Sequence, residues 1–121
     1  MENTLLETAV RALDSHKAEA LTALRVTGLT SVTDCFLLAS GGSATQVRAL
    51  SDYLEETLAK AGYPLLRSEG YRTGDWITLD YGDLIVHLFR RETRDFYGLE
   101  RLWADAQRPD LTPYLIQEPI Q

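Results

Sequence analysis

The sequence predicts an α/β fold in which a compact mixed β-sheet is flanked by helices. Three observations support this prediction: apolar residues recur at helical spacing in three stretches, short apolar runs typical of strands lie between them, and a two-residue turn joins two of the runs. The order helix, strand pair, helix, strand, hairpin, helix is typical of a domain that packs helices on a mixed sheet.

The first part of the chain predicts a helix followed by two strands. The helix covers about residues 2–15, and one of its faces carries Leu5, Leu6, Ala9, Val10 and Leu13. The runs ALTALRV (20–26) and CFLLAS (35–40) are predicted as strands, and the turn-rich segment TGLTSVT joins them.

A second helix is predicted over about residues 43–61. Its apolar stripe consists of Val47, Leu50, Leu54 and Leu58. Gly62 and Pro64 are typical of the segment that follows a helix. A short strand is predicted near residues 64–67, and the helix would form a right-handed crossover between two parallel strands.

The strongest local signal is a hairpin. Only Gly82-Asp83 separates WITLDY (76–81) from LIVHLF (84–89), and glycine comes first, as a type II′ turn requires. The implied register pairs Tyr81 with Leu84, Leu79 with Val86 and Ile77 with Leu88. This face is apolar and is predicted to be core.

The opposite face of the hairpin carries Trp76, Thr78, Asp80, Ile85, His87 and Phe89. A tryptophan beside a carboxylate and an imidazole suits a recognition surface, because tryptophan often anchors protein interfaces. Alternatively, a helix covers this face and satisfies Asp80 and His87 internally. The pattern alone leaves both interpretations open.

The segment RETRDFYGLERLWADA is predicted as the last helix. Its residues at helical spacing are Phe96, Leu99, Leu102, Trp103 and Ala106. Gly98 is expected to kink or break the helix near its start. We predict a single domain over residues 1–106 and a C-terminal tail over residues 107–121.

The composition favours a protein partner over nucleic acid or a membrane. The 121 residues carry a net charge of −6 and only two lysines, whereas dominant binding to phosphates favours the opposite sign. No apolar run approaches the ~20 residues that span a bilayer, and no signal or transit peptide is evident, so we expect a cytoplasmic protein. Cys35 lies in an apolar run and is predicted to be buried and inert.

The stretch SGGSATQ (40–46) could cradle a phosphate or simply start a helix. The GxxxxGK[ST] and GxGxxG patterns of nucleotide-binding loops are both missing. Ser43 and Gln46 have the spacing of a capping box, which satisfies the first amides of a helix without a ligand. The loop is therefore predicted to be structural.

The sequence shows no catalytic or metal-binding pattern. Nucleotidyl transfer needs carboxylates that converge on two metal ions, but Asp80 and Asp83 have an odd separation and no Asp-x-Asp pair occurs. His16 has no evident partner in the sequence, and His87 suits a structural histidine within a sheet. We therefore predict no enzyme activity, no metal and no cofactor.

The stretch from residue 69 to residue 106 resembles the signature of the ribosomal silencing factor family, also called Iojap-like proteins. The matching elements are Glu69-Gly70, Trp76, Asp80-Tyr81-Gly82-Asp83, Val86-His87-Leu88-Phe89, Arg94, Phe96-Tyr97 and Leu99-Glu100-Arg101-Leu102-Trp103. The N-terminal half agrees more loosely, through Asp34, Phe36 and Gly42-Ser43. Two residues depart from the family pattern: Arg25 stands where an aspartate is usual, and Cys35 stands in place of an aromatic residue.

The resemblance implies a nucleotidyltransferase-like scaffold without catalytic acids. It also implies binding to the fourteenth protein of the large ribosomal subunit, which would block subunit joining and repress translation when nutrients are scarce. Family members are often homodimers when free. Two other functions stay open at this point: a nucleotidyltransferase-like enzyme with residual nucleotide binding, and an adaptor whose partner is not ribosomal.

The partner-binding surface is predicted on the hairpin and at the start of the last helix. Its residues are Trp76, Asp80, Tyr81, Asp83, Arg94, Tyr97 and Glu100. Helical spacing would let Tyr97 and Glu100 face outward together. Trp103 is assigned to the core, whereas Trp76 is expected to contribute to binding with little effect on stability.

Overall fold

The computed structural model of the chain describes residues 4–115. Its elements are α1 (Thr4–Ser15), β1 (Glu19–Arg25), β2 (Cys35–Gly41), α2 (Ala44–Lys60), β3 (Arg67–Glu69), β4 (Trp76–Asp80), β5 (Leu84–Arg90), α3 (Arg91–Tyr97), α4 (Leu99–Leu102) and a 3-10 turn (Thr112–Tyr114). The predicted α/β fold is confirmed. The short third strand begins at Arg67, where the predicted one ended, and the last helix is split in two. Among the described helices, none is long and apolar enough to cross a membrane.

The five strands form one sheet in the order β1-β2-β5-β4-β3. β2 and β5 are parallel, and the other neighbouring pairs are antiparallel. β2 and β3 therefore run in the same direction, and α2 is the crossover between them, as predicted. The hairpin register is also confirmed, with Leu79 opposite Val86 and a positive φ of 91° at Gly82.

α1 and α2 cover one face of the sheet and form the main core with it. Alternate residues of β2 and β5, such as Leu37 and Val86, are fully buried against these helices. Cys35 belongs to this core, and burial raises the pKa of its thiol to about 11. The prediction of a buried cysteine is confirmed, and its unreactive neutral form is favoured.

The glycine loop before α2 uses its own polar groups to start the helix. The Gln46 amide N–H donates to Ser43 Oγ at 3.1 Å, and the Gly42 N–H donates to Gln46 Oε1 at 2.7 Å. In a capping box, the side chain three residues after the cap normally accepts the N–H of the cap residue itself. Here the Gln46 side chain accepts the N–H of Gly42, the residue before the cap Ser43. The predicted capped helix start is confirmed.

A second, smaller cluster lies on the other face of the sheet. Its buried members are Leu24, Val26, Phe36, Leu38, Ile85 and Phe89. Leu99, Trp103 and Ala106 pack over it from the α4 region, and the Trp103 ring meets the Phe36 ring edge-on at 5.5 Å. Trp76 borders the same cluster. A helical segment therefore covers part of this face. Trp76 and Trp103 both lie on this face, although the sequence analysis predicted a binding role for Trp76 and a core position for Trp103.

Gly98 ends α3 and changes the direction of the chain. It adopts a left-handed conformation with φ 59°, which glycine tolerates best. The break shifts the phase between α3 and α4, so that Phe96 is 78% exposed and Leu102 is 74% exposed. The helical spacing predicts that Phe96 and Leu102 share one apolar face with Leu99 and Trp103, and this prediction is wrong.

Arg94 attaches α3 to the sheet. Its side chain is buried and donates to Ala20 O at 2.9 Å, Ser40 Oγ at 2.9 Å and Thr22 Oγ1 at 3.1 Å. It also donates to both carboxylate oxygens of Glu100, at 3.0 and 3.2 Å. The hydrogen bond from Arg94 lowers the pKa of Glu100. One guanidinium thus joins β1, β2 and α4 to α3.

The chain continues along the domain beyond Ala106. The Arg25 N–H donates to Gln107 O at 2.8 Å, which pairs this segment with the outer edge of β1. Leu111 is buried in the main core, and Tyr114 packs at its border. Residues 107–115 therefore pack against α1 and the sheet edge.

We predict different effects of two neighbouring truncations in α4 and its end. Trp103→Ala should lower the free energy of unfolding by about 2 kcal/mol, less than the ~3–5 kcal/mol of a fully buried ring, because Trp103 is half-buried. Leu102→Ala should change it by less than about 0.5 kcal/mol. Urea denaturation of both variants measures this. Equal losses of stability in the two variants would contradict the structure after Gly98, in which Leu102 is exposed and Trp103 packs on the second cluster.

We also predict that Arg94 is a major determinant of stability. Arg94→Ala should lower the free energy of unfolding by about 3 kcal/mol, because it leaves the buried Ser40 and the half-buried Thr22 and Glu100 without this partner. The control is Arg91→Ala, which removes an exposed pair with Glu19 at 2.6 Å and should have a much smaller effect. Urea denaturation of both variants tests the difference. A loss as large for Arg91 would show that surface charge, rather than burial, explains the effect.

Candidate functional site

An open cleft of about 540 Å³ lies between β4 and α3. Its lining combines the rings of Trp76, Phe96 and Tyr97 with the carboxylates of Asp75 and Glu92. Tyr97 is 57% exposed, and its ring centroid lies 5.0 Å from those of both Trp76 and Phe96. Exposed aromatic rings next to carboxylates can bury apolar area and attract a basic group at the same place.

Trp76 is held in one orientation by its neighbours. Its indole Nε1–H donates to His87 Nδ1 at 3.1 Å, and its ring lies 4.9 Å from the Phe89 ring. Trp76 therefore forms a wall of the cleft and also contributes to the second cluster. The expectation that its loss leaves stability almost unchanged does not fit these contacts.

A charged group closes one side of the cleft. Arg90 Nε donates to Asp75 Oδ1 at 2.7 Å, and its guanidinium lies 3.6 Å from Glu92. The hydrogen bond with Asp75 raises the pKa of Arg90, so this guanidinium stays charged. Two carboxylates surround one cation here, which leaves the wall negative.

His87 is a buried neutral imidazole. Burial lowers its pKa to about 4, so it carries no charge at pH 7. Because Nδ1 accepts the indole proton of Trp76, the single imidazole proton is on Nε2. This Nε2–H is buried and has no hydrogen-bond partner among residues 4–115. The predicted place of His87 within the sheet is confirmed, with a hydrogen bond to a neighbouring strand. An unpaired buried donor costs about 1–3 kcal/mol.

A second pocket, of about 360 Å³, lies on the same face toward the hairpin turn. We call it the His87 pocket. Val32, Phe36, Ile85 and His87 contribute to its lining, and charged side chains stand at its rim. A smaller depression between Trp76 and Thr78 connects this pocket with the cleft. The three concavities form one trough across β4.

The two predicted aspartates of the hairpin occupy different positions. Asp80 is half-buried at the His87 pocket, and its Oδ1 accepts the Gly82 N–H at 2.8 Å. Asp83 is exposed at the turn. Within residues 4–115, no group of three or more His, Cys, Asp or Glu side chains is placed to hold a metal ion.

Tyr81 does not fit the predicted binding surface. Its side chain is 8% exposed and packs in the main core on the opposite face of the sheet, because strand residues alternate between faces. Burial raises the pKa of its phenol to about 12. Its hydroxyl has no hydrogen-bond partner within the described part of the chain.

Arg94 and Glu100 also differ from their predicted positions. Arg94 is buried, and Glu100 turns toward it instead of facing outward beside Tyr97. Gly98 is the physical reason, since it places Tyr97 and Glu100 on separate helices. Of the seven predicted residues, the structure brings Trp76 and Tyr97 together at the cleft.

The sequence analysis missed Phe96, Asp75 and Glu92 as lining residues of the cleft. Phe96 was assigned to an apolar stripe that assumed one continuous helix. The glycine after Tyr97 was the available signal, because a helix that ends there presents Phe96 and Tyr97 on its last, partly uncovered turn. No sequence pattern near Asp75 or Glu92 indicated a shared site, because the two carboxylates are brought together only by their contacts with Arg90.

Comparisons with known proteins agree with one another. The family model described as "Ribosomal silencing factor during starvation" matches residues 1–120. The chain is 39% identical to the ribosomal silencing factor of Halalkalibacterium halodurans, over 88% of this chain and 92% of that protein. It is 34% identical to the ribosomal silencing factor of Bacillus subtilis, over 91% of this chain and 93% of that protein.

Two further similarities extend the comparison. A mouse protein named mitochondrial assembly of ribosomal large subunit protein 1 is 31% identical, over 82% of this chain and 45% of its own length. A crystal structure from Chromobacterium violaceum superimposes with a TM-score of 0.82 at 34% identity, covering 91% of this chain and 92% of the other. The chain therefore belongs to the ribosomal silencing factor (Iojap-like) family.

Proposed function

We propose that this chain is a ribosomal silencing factor that binds the large ribosomal subunit through its fourteenth protein. Bound there, it would prevent the small subunit from joining and so repress translation under nutrient limitation. The family membership and the names of the relatives support a regulatory role at the ribosome. Such a role requires a binding surface, not a catalytic group.

The observation that carries the proposal is the aromatic cleft. Phe96 and Tyr97 expose large apolar area that a folded domain otherwise buries, and Trp76 gives the cleft a rigid wall. Aromatic residues in such positions commonly supply most of the binding energy of an interface. Asp75 and Glu92 add negative charge, in agreement with the net charge of −6 and with a basic protein partner.

The mechanism we infer is steric. A domain seated through this face excludes whatever normally occupies the same surface of the large subunit, and no bond is made or broken. The exposed rings would also favour self-association in the free protein, so we propose a homodimer that competes with ribosome binding. We further propose that the chain meets its ribosomal partner in the cytoplasm.

The proposal predicts cosedimentation with large subunits. In sucrose gradients the purified chain should appear in the large-subunit fraction, and adding it to separated subunits should reduce the assembled-ribosome peak. An acidic control protein of equal size and charge should not reproduce this shift. Equal recovery in the small-subunit or assembled-ribosome fractions would contradict the proposed function.

We also predict that the exposed ring of Tyr97 contributes directly to binding. Tyr97→Ala should weaken binding to large subunits by at least tenfold, ~1.4 kcal/mol, because it removes apolar contact area at the cleft. The matched control is Tyr71→Ala, another exposed tyrosine, which lies outside the cleft lining and bonds Asp52. Filter binding to labelled subunits measures both affinities. Equal effects of the two substitutions would place the interface elsewhere.

A further inference from the structure

The His87 pocket contains a buried hydrogen-bond donor that the free protein leaves unused. His87 is 7% exposed, and its Nε2–H has no partner among residues 4–115. Phe36 packs edge-on against the imidazole at 4.9 Å, and Ile85 and Val32 complete an apolar lining. Nε2 is itself buried, so an acceptor reaches it only when a lining side chain moves aside, and the side chain of Val32 at the lip is 64% exposed.

The protonation state of His87 restricts what can enter. The imidazole is neutral at pH 7 because burial lowers its pKa to about 4. Its Nδ1 is already used by the Trp76 indole, and Nε2 can only donate. The entering atom must therefore be an acceptor, and an ammonium or guanidinium group, which only donates, would not satisfy it.

The charges at the rim exclude a second class of group. Arg67 lies 3.5 Å from Glu69, so this cation is already paired, and Asp80 adds another carboxylate. Two carboxylates against one guanidinium leave the rim negative. A carboxylate or a nucleic-acid phosphate would be repelled there. The remaining acceptors are neutral oxygens: a hydroxyl, a side-chain amide or a backbone carbonyl.

The pocket is continuous with the cleft along β4. Trp76, Thr78 and Asp80 share this face, so the trough extends for about 13 Å along the strand at about 3.3 Å per residue. A protein loop that inserts apolar or basic side chains at Tyr97 can therefore reach the His87 pocket with a residue about four positions further along its extended chain.

We propose that the His87 pocket receives a neutral oxygen acceptor from the protein loop that binds the aromatic cleft, and that Nε2–H of His87 donates to it. This inference rests on the proposed function and names the chemistry of a second contact with the same partner. The cleft supplies apolar and charge attraction, and the His87 pocket adds selectivity, because a loop without a neutral acceptor at this place leaves the donor unpaired.

Two substitutions at His87 test the contributions of its two ring nitrogens separately. In His87→Asn, the amide oxygen can still accept from the Trp76 indole, but no group replaces the Nε2–H. In His87→Gln, the longer side chain returns an N–H near the position of Nε2. We expect His87→Asn to weaken binding to purified large ribosomal subunits by about tenfold, and His87→Gln to stay within about threefold of the parent chain.

A second pair of variants tests the pocket without changing the imidazole. Val32→Glu places a carboxylate at the lip, whereas Leu29→Glu makes the same change in the same loop at a residue that is 47% exposed and outside the pocket lining. Both side chains are exposed, so both variants should fold. We expect Val32→Glu to reduce binding at least tenfold and Leu29→Glu to leave it unchanged.

Binding to labelled large subunits by all four variants and the parent chain decides the inference. Unchanged binding of His87→Asn or of Val32→Glu would overturn it, and weakening by His87→Gln with retained binding by His87→Asn would show that His87 acts only by orienting Trp76. Equal weakening by His87→Asn and His87→Gln would also overturn it, because a restored N–H near the position of Nε2 would then make no difference. If the parent chain itself does not bind large subunits, the proposed function fails. Retained binding by the parent and by His87→Asn overturns this inference alone.

Discussion

The buried guanidinium of Arg94 is the interaction on which the candidate site depends. It bonds β1, β2 and Glu100 of α4 at once, and so fixes the helix that carries Phe96 and Tyr97. Without it, α3 would keep its continuation from β5, the exposed Arg91–Glu19 pair and the Tyr97–Trp76 ring contact, but no buried polar link to the sheet. A planar, permanently charged group with several donors suits this position better than an ammonium would.

The two faces of the sheet serve different purposes because they are covered to different extents. α1 and α2 cover one face except at the exposed edge strand β3, and the main core lies there. On the other face, the α3–α4 segment covers β2 and β5 but leaves β4 half-buried. The same rings therefore stabilise the domain and border the trough. This explains why Trp76 cannot be assigned to binding or to stability alone.

The sequence was sufficient for most of the fold and for part of the site. The hairpin register, the crossover helix and the Ser43 cap follow from local rules of alternation, helical spacing and capping, and the structure confirms each. Trp76 and Tyr97, both predicted to lie on the binding surface, come together at the cleft, and their part in binding stays a prediction. Tyr81 was misplaced although its strand register already put it on the core face. Arg94 was misplaced because three of its partners, Ala20, Thr22 and Ser40, are more than 50 residues away in sequence.

By itself, then, the sequence determined the family, the order of the elements, most residues of the main core and the acidic charge. These depend on contacts between residues close in the chain or on composition. Only the tertiary structure decided that the last helix breaks so as to expose Phe96, that Arg94 is buried, and that His87 keeps an unpaired donor beside a pocket. Each of these depends on groups far apart in sequence, whose approach is set by how α3 and α4 pack on the sheet.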